Sequence, residues 1–169
     1  MSGNDISSTL TENRLFKPSA EFTEKARLKA DDLAALQKQS EEDNVGFWAD
    51  QARQHISWHT PFTTTLDDSR APLYKWFPDG TMNVSYNCID RHLADKADKT
   101  AIIFEGEAGD TKNISYQQLH DDVCQFANAL KAKGIKKGDR VIIYMPMVPE
   151  AVVAMQACAR IGAIHSVVF

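Results

Sequence analysis

The sequence is short of most signals that announce a site. Among its 169 residues glycine occurs eight times, and never in the spacing G-x-G-x-x-G or G-x-x-x-x-G-K-[ST]. Those spacings let backbone N–H groups cradle a phosphate, so a nucleotide loop of either kind is excluded from this stretch. Cysteine occurs only at 88, 124 and 158. An odd, widely spaced set inside apolar patterns argues against a disulfide framework and for buried free thiols in a reducing compartment. Positive charge is not in excess: 19 Lys and Arg stand against 23 Asp and Glu, a net charge of −4. That balance offers no basic field for nucleic acid and no polybasic anchor for a membrane. No apolar run approaches the ~20 residues that cross a bilayer. The polar opening, MSGNDISSTLTENRLFKPS, lacks the charged-then-apolar plan of a secretory signal. A cytoplasmic protein with no nucleic-acid or membrane partner is the expectation.

What is present is ordinary globular material, 43% apolar and 25% charged. A chain of this length buries roughly 70% of its unfolded surface on folding. Residues 1–18 read as a polar leader. From residue 19, SAEFTEKARLKADDLAALQKQ predicts one helix. Its thin stripe of Phe22, Ala26, Leu33 and Leu36 suits a helix lying on a larger body. DNVGFWADQARQH predicts a second short helix anchored by Phe47 and Trp48. The prolines, Asp-Gly turn and aromatics of ISWHTPFTTTLDDSRAPLYKWFPDGTMN predict an irregular segment that packs onto a surface. Residues 19–83 are therefore expected to form a helical extension and packing loop.

Regular alternation starts after Asn83, a fitting N-cap for a helix through VSYNCIDRHLADK. TAIIFEGE reads as a short buried strand closed by Gly106. Ser115 and Gln118 make a capping box, and Tyr116, Leu119, Val123, Phe126 and Leu130 follow at helical spacing on one face. Gly134 then ends that helix, with Ile135 as the apolar residue beyond it. Lys-Lys-Gly-Asp turns the chain, RVIIYM reads as a buried strand, and Pro149 opens a helix of small side chains, PEAVVAMQACARIG. AIHSVVF is the next strand. Three strands, at 101–104, 140–145 and 164–169, alternate with helices, which implies βαβ units. The expected class is α/β: an incomplete parallel sheet with helices on its faces, preceded by the helical extension and the irregular aromatic-rich segment.

Chemistry is harder to find. His55 and His59 stand four apart, as zinc ligands on one helix face do, but 57–61 reads as chain leaving a helix and no third ligand is near. His92 at a helix end, and His120 beside Asp121 and Asp122, are solvated helix positions more readily than general bases. His165 lies in a strand pattern and reads as a core histidine with a satisfied ring nitrogen. Lys137-Gly138-Asp139 precedes a strand rather than a helix, so it reads as a plain turn and not a phosphate loop. No nucleophile–base pair, metal cluster or carboxylate dyad follows from spacing. The final residues, His165-Ser166-Val167-Val168-Phe169, form an apolar run where a terminus is usually polar, and the sheet reads as unfinished.

The stretches KWFPDGTMNVSYNCIDRHL, AIIFEGE and ISYQQLHDDVCQFANALKAKGIKKGDRVIIYMPMVPEAVVAMQACARIGAIHSVVF closely resemble the front of the acetyl-CoA synthetases, AMP-forming enzymes of the acyl-adenylate-forming superfamily. The resemblance runs from about Phe47 to the last residue, and propionyl-CoA synthetases share part of it. It implies that 84–169 is the first part of the large N-terminal domain of an AMP-forming acetate–CoA ligase, truncated. It implies ATP, coenzyme A and magnesium as the whole enzyme's cofactors, acetate as its substrate, and the remainder of the same polypeptide as partner. None of these cofactors is expected to bind this chain tightly, because the family's phosphate loop, adenine-stacking motif, ribose-binding Asp and C-terminal lysine have no match here. No catalytic residue carries over. Relatives continue with two glycines after a Phe that lines the coenzyme A region, so the resemblance places Phe169 on that wall, while a plain core role remains its alternative. The chain alone is expected to be inactive and to self-associate. The rival expectation is a stand-alone binding or interaction module that reuses this sheet.

Overall fold

The computed structural model describes residues 14–168; thirteen residues of the expected leader, 1–13, and Phe169 lie outside the described residues. The chain divides into two units after Asn44. The first holds helices α1 (Ala20–Lys25) and α2 (Ala30–Glu42), neither of which buries a residue. One continuous helix was the expectation here, and the structure breaks it. Ala26 takes an extended conformation (φ −67°, ψ 135°), as does Lys29 (ψ 172°). The second helix then starts afresh, with the Asp32 carboxylate accepting the Lys29 backbone N–H at 2.9 Å. The supposed stripe is not covered: Phe22 and Leu33 are exposed.

The second unit takes in all of α3 (Asn44–His55) but its first residue. Its anchors are not Phe47 and Trp48 but Ala49 and Ala52, which are buried against Phe62, Ile56, Trp58 and Phe77. Small side chains let the helix axis approach the aromatic rings. The irregular segment is thus a packed structure of its own. Its short strands β1 (Leu66–Asp67) and β2 (Lys75–Trp76) pair antiparallel, and Thr60 bridges Thr81. Trp58, Phe62 and Phe77 meet at centroid distances of 4.6–5.5 Å. Gly80 makes this possible, since a Cβ there would stand 2.6 Å from the Trp58 ring. The Asp79 carboxylate closes the loop by accepting from the Thr63 N–H and hydroxyl and from the Thr64 N–H.

Asn83 caps α4 (Val84–Cys88) as expected, its Oδ1 accepting from the Tyr86 N–H. The helix does not continue to residue 96. Ile89, 1% exposed, turns into the core at φ −124°, and a 3₁₀ turn (Asp90–His92) and the short α5 (Leu93–Lys96) follow. The gain from burying Ile89 outweighs the local preference for an unbroken helix.

The strand expected at 101–104 is β3 (Thr100–Glu105), but it does not join a parallel sheet. It pairs antiparallel with β4 (Thr111–Ser115), a strand absent from the sequence expectation. Gly109, at φ 84°, makes the connecting turn. TKNIS is a weak strand by composition; its pairing with β3 and the burial of Ile114 define it. Helix α6 (Tyr116–Ala132) starts directly from β4 through the capping box of Ser115 and Gln118, with both bonds formed. It ends in a Schellman motif: Ile135 N–H reaches Leu130 C=O, Gly134 N–H reaches Lys131 C=O, and Gly134 sits at φ 87°. Its face of Leu119, Val123 and Ala127 joins Ile89, Ile114 and Ala157 in the main core.

Strand β5 (Arg140–Tyr144), helix α7 (Pro149–Ile161) and strand β6 (Ile164–Val168) form a βαβ unit, with β5 and β6 parallel from Arg140↔Ile164 to Tyr144↔Val168. Pro149 is the first residue of α7, and Gly162 (φ 73°) closes it. The close packing of α7 follows from its alanines, since Ala151, Ala154 and Ala157 are buried beside Cys158. Neither strand is buried on both faces as expected. Ile142, Tyr144, Ile164 and Val168 share one face, and all four are exposed.

Candidate functional site

In a parallel α/β sheet, ligands lie beyond the carboxyl ends of the strands. Here those ends are Tyr144 and Val168, side by side in register. The loop after β5 is Met145-Pro146-Met147-Val148, whose Met147 is exposed. Pro146 stops the strand because it brings no N–H to continue a ladder. A cleft of about 600 Å³ opens next to this loop, between β4, α6 and the start of α7. Phe126, Met145 and Val153 supply apolar walls, and Lys112, Asp122 and Glu150 supply charge. These groups include no Ser, Thr, Cys or His, and their charges are of both signs. The arrangement can hold part of an apolar or mixed-charge surface; it has no means to activate a phosphoryl or acyl group. Phe169, the residue expected to line a coenzyme A wall at this end of the sheet, lies outside the described residues.

A second cluster joins elements far apart in sequence. The Arg160 guanidinium from α7 grips the Asp90 carboxylate with both fork nitrogens, the Nη1–Oδ1 distance being 2.9 Å. His120 stands between acids, with Nε2 3.5 Å from Asp90 Oδ1 and Nδ1 3.1 Å from Asp121 Oδ1. The Cys124 sulfur is 3.5 Å from His120 Nε2, one helical turn on. Asp121 is held below the ordinary carboxylate value by its hydrogen bonds from His120 and then from Gln117. The same polarity of effect applies to Asp79, through Thr63 above all, and to Asp67, through Ser69. Asn83 adds a further tie, since its Nδ2 donates to the last carbonyls of α7, Ala159 at 3.2 Å and Arg160 at 3.1 Å. One asparagine therefore caps the start of α4 and the end of α7. These bonds fasten the 3₁₀ turn and α4 to α7.

The remaining histidines are scattered. His55 and His59 are both exposed, His59 lies in a bend beyond the end of α3, and the His55 carbonyl accepts from Arg91. His92 packs edge-on to the Tyr116 ring at 5.8 Å rather than standing free in solvent. His165 is exposed, not the core histidine its strand pattern suggested, although it lies on the face of the parallel pair opposite to Ile164 and Val168. Among the described residues no three His, Cys, Asp or Glu side chains form a group fit for a metal ion. The three thiols are free, but only Cys158 is buried, and burial pushes its thiol up; Cys124 is half-buried and Cys88 exposed. Lys137-Gly138-Asp139 is the plain turn expected, with the Asp139 carboxylate accepting the Lys136 N–H at 2.9 Å. The Asp90–Arg160 pair had no signature in local spacing, being 70 residues apart. Its one signal was an arginine within a helix otherwise made of small, buried side chains.

Comparison with known proteins gives a consistent answer. The family model described as the acetyl-coenzyme A synthetase N-terminus matches residues 33–88, and that of the AMP-binding enzymes matches 89–169. An acetyl-coenzyme A synthetase of Thiobacillus denitrificans is 61% identical over 165 residues, covering 97% of this chain and 25% of the relative. One from Nitrosomonas europaea is 59% identical with the same coverage. The chain thus spans about a quarter of the length of these relatives. Among solved structures, an acetoacetyl-CoA synthetase from Streptomyces lividans superposes with a TM-score of 0.73 at 29% identity, over 80% of this chain and 21% of that one.

Proposed function

We propose that the chain is the opening portion of an AMP-forming acetate–CoA ligase, since the acetyl-coenzyme A synthetase N-terminus model and the AMP-binding enzyme model match it in succession over 33–88 and 89–169. The whole enzyme joins acetate and ATP into acetyl-adenylate with release of pyrophosphate, then passes the acetyl group to the coenzyme A thiol with release of AMP. Residues 84–169 begin the large domain, 19–83 form the helical extension and packing loop that precede it, and 1–18 are its leader. The observation that carries this reading is identity of about 60% sustained over 97% of the chain. No membrane-spanning helix is long and apolar enough among the described residues, and we place the enzyme in the cytoplasm.

ATP and magnesium do not fit the residues present. A triphosphate needs a backbone cradle and neutralising cations, and magnesium needs converging oxygen ligands. The chain has neither a phosphate loop in its sequence nor a metal-fit cluster among its described residues. No chemical step is therefore assigned to this chain. Its part is scaffolding: β5 and β6 align the end of the sheet, and Phe169, directly after β6, lines the coenzyme A region. The uncovered apolar face of Ile142, Tyr144, Ile164 and Val168 supports this reading. We assign its cover to the remaining three-quarters or so of the polypeptide, by the length of the relatives.

The test is a graft. The chain alone, which we expect to scatter light as oligomers through that face, shows no acetate-dependent exchange of pyrophosphate into ATP. Substituted for the matching quarter of the Thiobacillus denitrificans enzyme, it supports exchange with the recipient's preference for acetate over propionate. Exchange by the isolated chain, or a graft that folds but is inactive, overturns the reading.

A further inference from the structure

The opposite end of the βαβ unit carries a second feature with no part in the scaffolding above. Where α6 and α7 finish, their last turns and the 136–139 turn enclose a groove of about 480 Å³. Lys131, Lys136, Lys137 and Arg160 line it, together with the Asn128 amide and the Cys124 thiol. It lies at the amino ends of β5 and β6, away from the strand ends where this fold places its substrates.

Two observations give the groove a preference. No carboxylate lines it, and the three lysines form no ion pair with any described acid. The Asp139 side chain, the nearest acid in sequence, is held by the Lys136 backbone N–H instead. Helix C-termini normally repel anions through their free carbonyls, but the closing N–H groups of Lys133, Gly134 and Ile135 occupy those of α6, and Asn83 occupies two of α7.

We propose that this groove binds a compact phosphate-bearing polyanion, held by Lys131, Lys136 and Lys137 and oriented by Asn128. The assignment is independent of the ligase reading, since it uses only the α6–α7 groove. It makes Cys124, on the groove wall, a local reporter, with exposed Cys88 outside the groove as an internal control.

The experiment uses the chain as it is. Cysteines are labelled with the neutral reagent N-ethylmaleimide, with inorganic pyrophosphate as probe, and each labelled peptide is quantified by mass spectrometry. Pyrophosphate is expected to slow labelling of Cys124 and leave Cys88 unchanged. Lys136→Gln with Lys137→Gln, both exposed and outside the core, should weaken the protection about tenfold or more, through loss of two charge-assisted contacts. Circular dichroism confirms that the variant keeps its fold. Absence of protection, protection retained in the variant, or equal protection by sodium chloride at matched ionic strength overturns the site. Equal protection by citrate overturns the assignment to phosphates.

Discussion

Helices α2 and α6 begin in similar ways and end as different kinds of structure. Each has a side chain at its third position that reaches back to the N-cap N–H: Asp32 to Lys29, Gln118 to Ser115. At α6 the Ser115 hydroxyl returns the bond to the Gln118 N–H, whereas Lys29 has no oxygen to do so. At the far end α6 closes on Gly134 with two Schellman bonds, and α2 stops at Asp43 with one backbone bond to Gln39. The larger difference is burial. Helix α6 places Leu119, Val123 and Ala127 in the core; α2 places nothing there. Local signals decide where a helix starts, but an isolated helix of this length is marginal in water, and packing of an apolar face supplies most of its stability.

The contrast is broken most directly by cutting each apolar face. Leu119→Ala should destabilise the chain by about 2–5 kcal/mol, while Leu33→Ala, at an exposed position, should stay within about 0.5 kcal/mol. Chemical denaturation of both variants checks this; equal losses would mean that α2 has a packed face. Next in size come the caps. Ser115→Ala should cost ~1 kcal/mol, less than Leu119→Ala, because it removes one N-cap bond and leaves the core intact. Amide exchange should then quicken in the first turn of α6 while its middle stays protected, and unchanged exchange there would show that the cap is dispensable.

The smallest expected effect is with acid. Asp121 is held below its ordinary value of 3.8 by His120 and Gln117. A carboxyl depressed in the folded state favours folding above its unfolded value, and that contribution is lost as pH falls through the lower, folded one. Acid titration of α6 should therefore be slightly flatter in Asp121→Asn below about pH 4, the unfolded carboxylate range. Identical acid profiles would remove Asp121 from the account.

Where the residues that form an element are neighbours in sequence, the sequence was enough to read it. The box at Ser115, the glycine at 134 and the proline at 149 all involve groups within a few residues of one another. Their bonds form wherever the chain goes, so periodicity and caps located α6 and α7, and the alternation of strand patterns with α7 located β5 and β6. The expectations that failed depended on partners at a distance. β4 is a strand only because β3 supplies its ladder, and the helix after Asn83 breaks because Ile89 gains more from the core than from one further turn. His165 is exposed even though the face of the parallel pair that carries it also holds buried Ile143.

The same division applies to function. By itself the sequence carried the resemblance to the acetyl-CoA synthetases, through a long matching run that no composition could supply, and it showed that neither phosphate-loop spacing occurs in this stretch. Only the tertiary structure decided that Arg160 would spend its fork nitrogens on Asp90, that Asn83 would close two helices, and that Lys131, Lys136 and Lys137 would face a common groove. Hydrogen bonds and charge pairs act over a few ångströms of space, and residues 70 positions apart become neighbours only once the helices carrying them have packed.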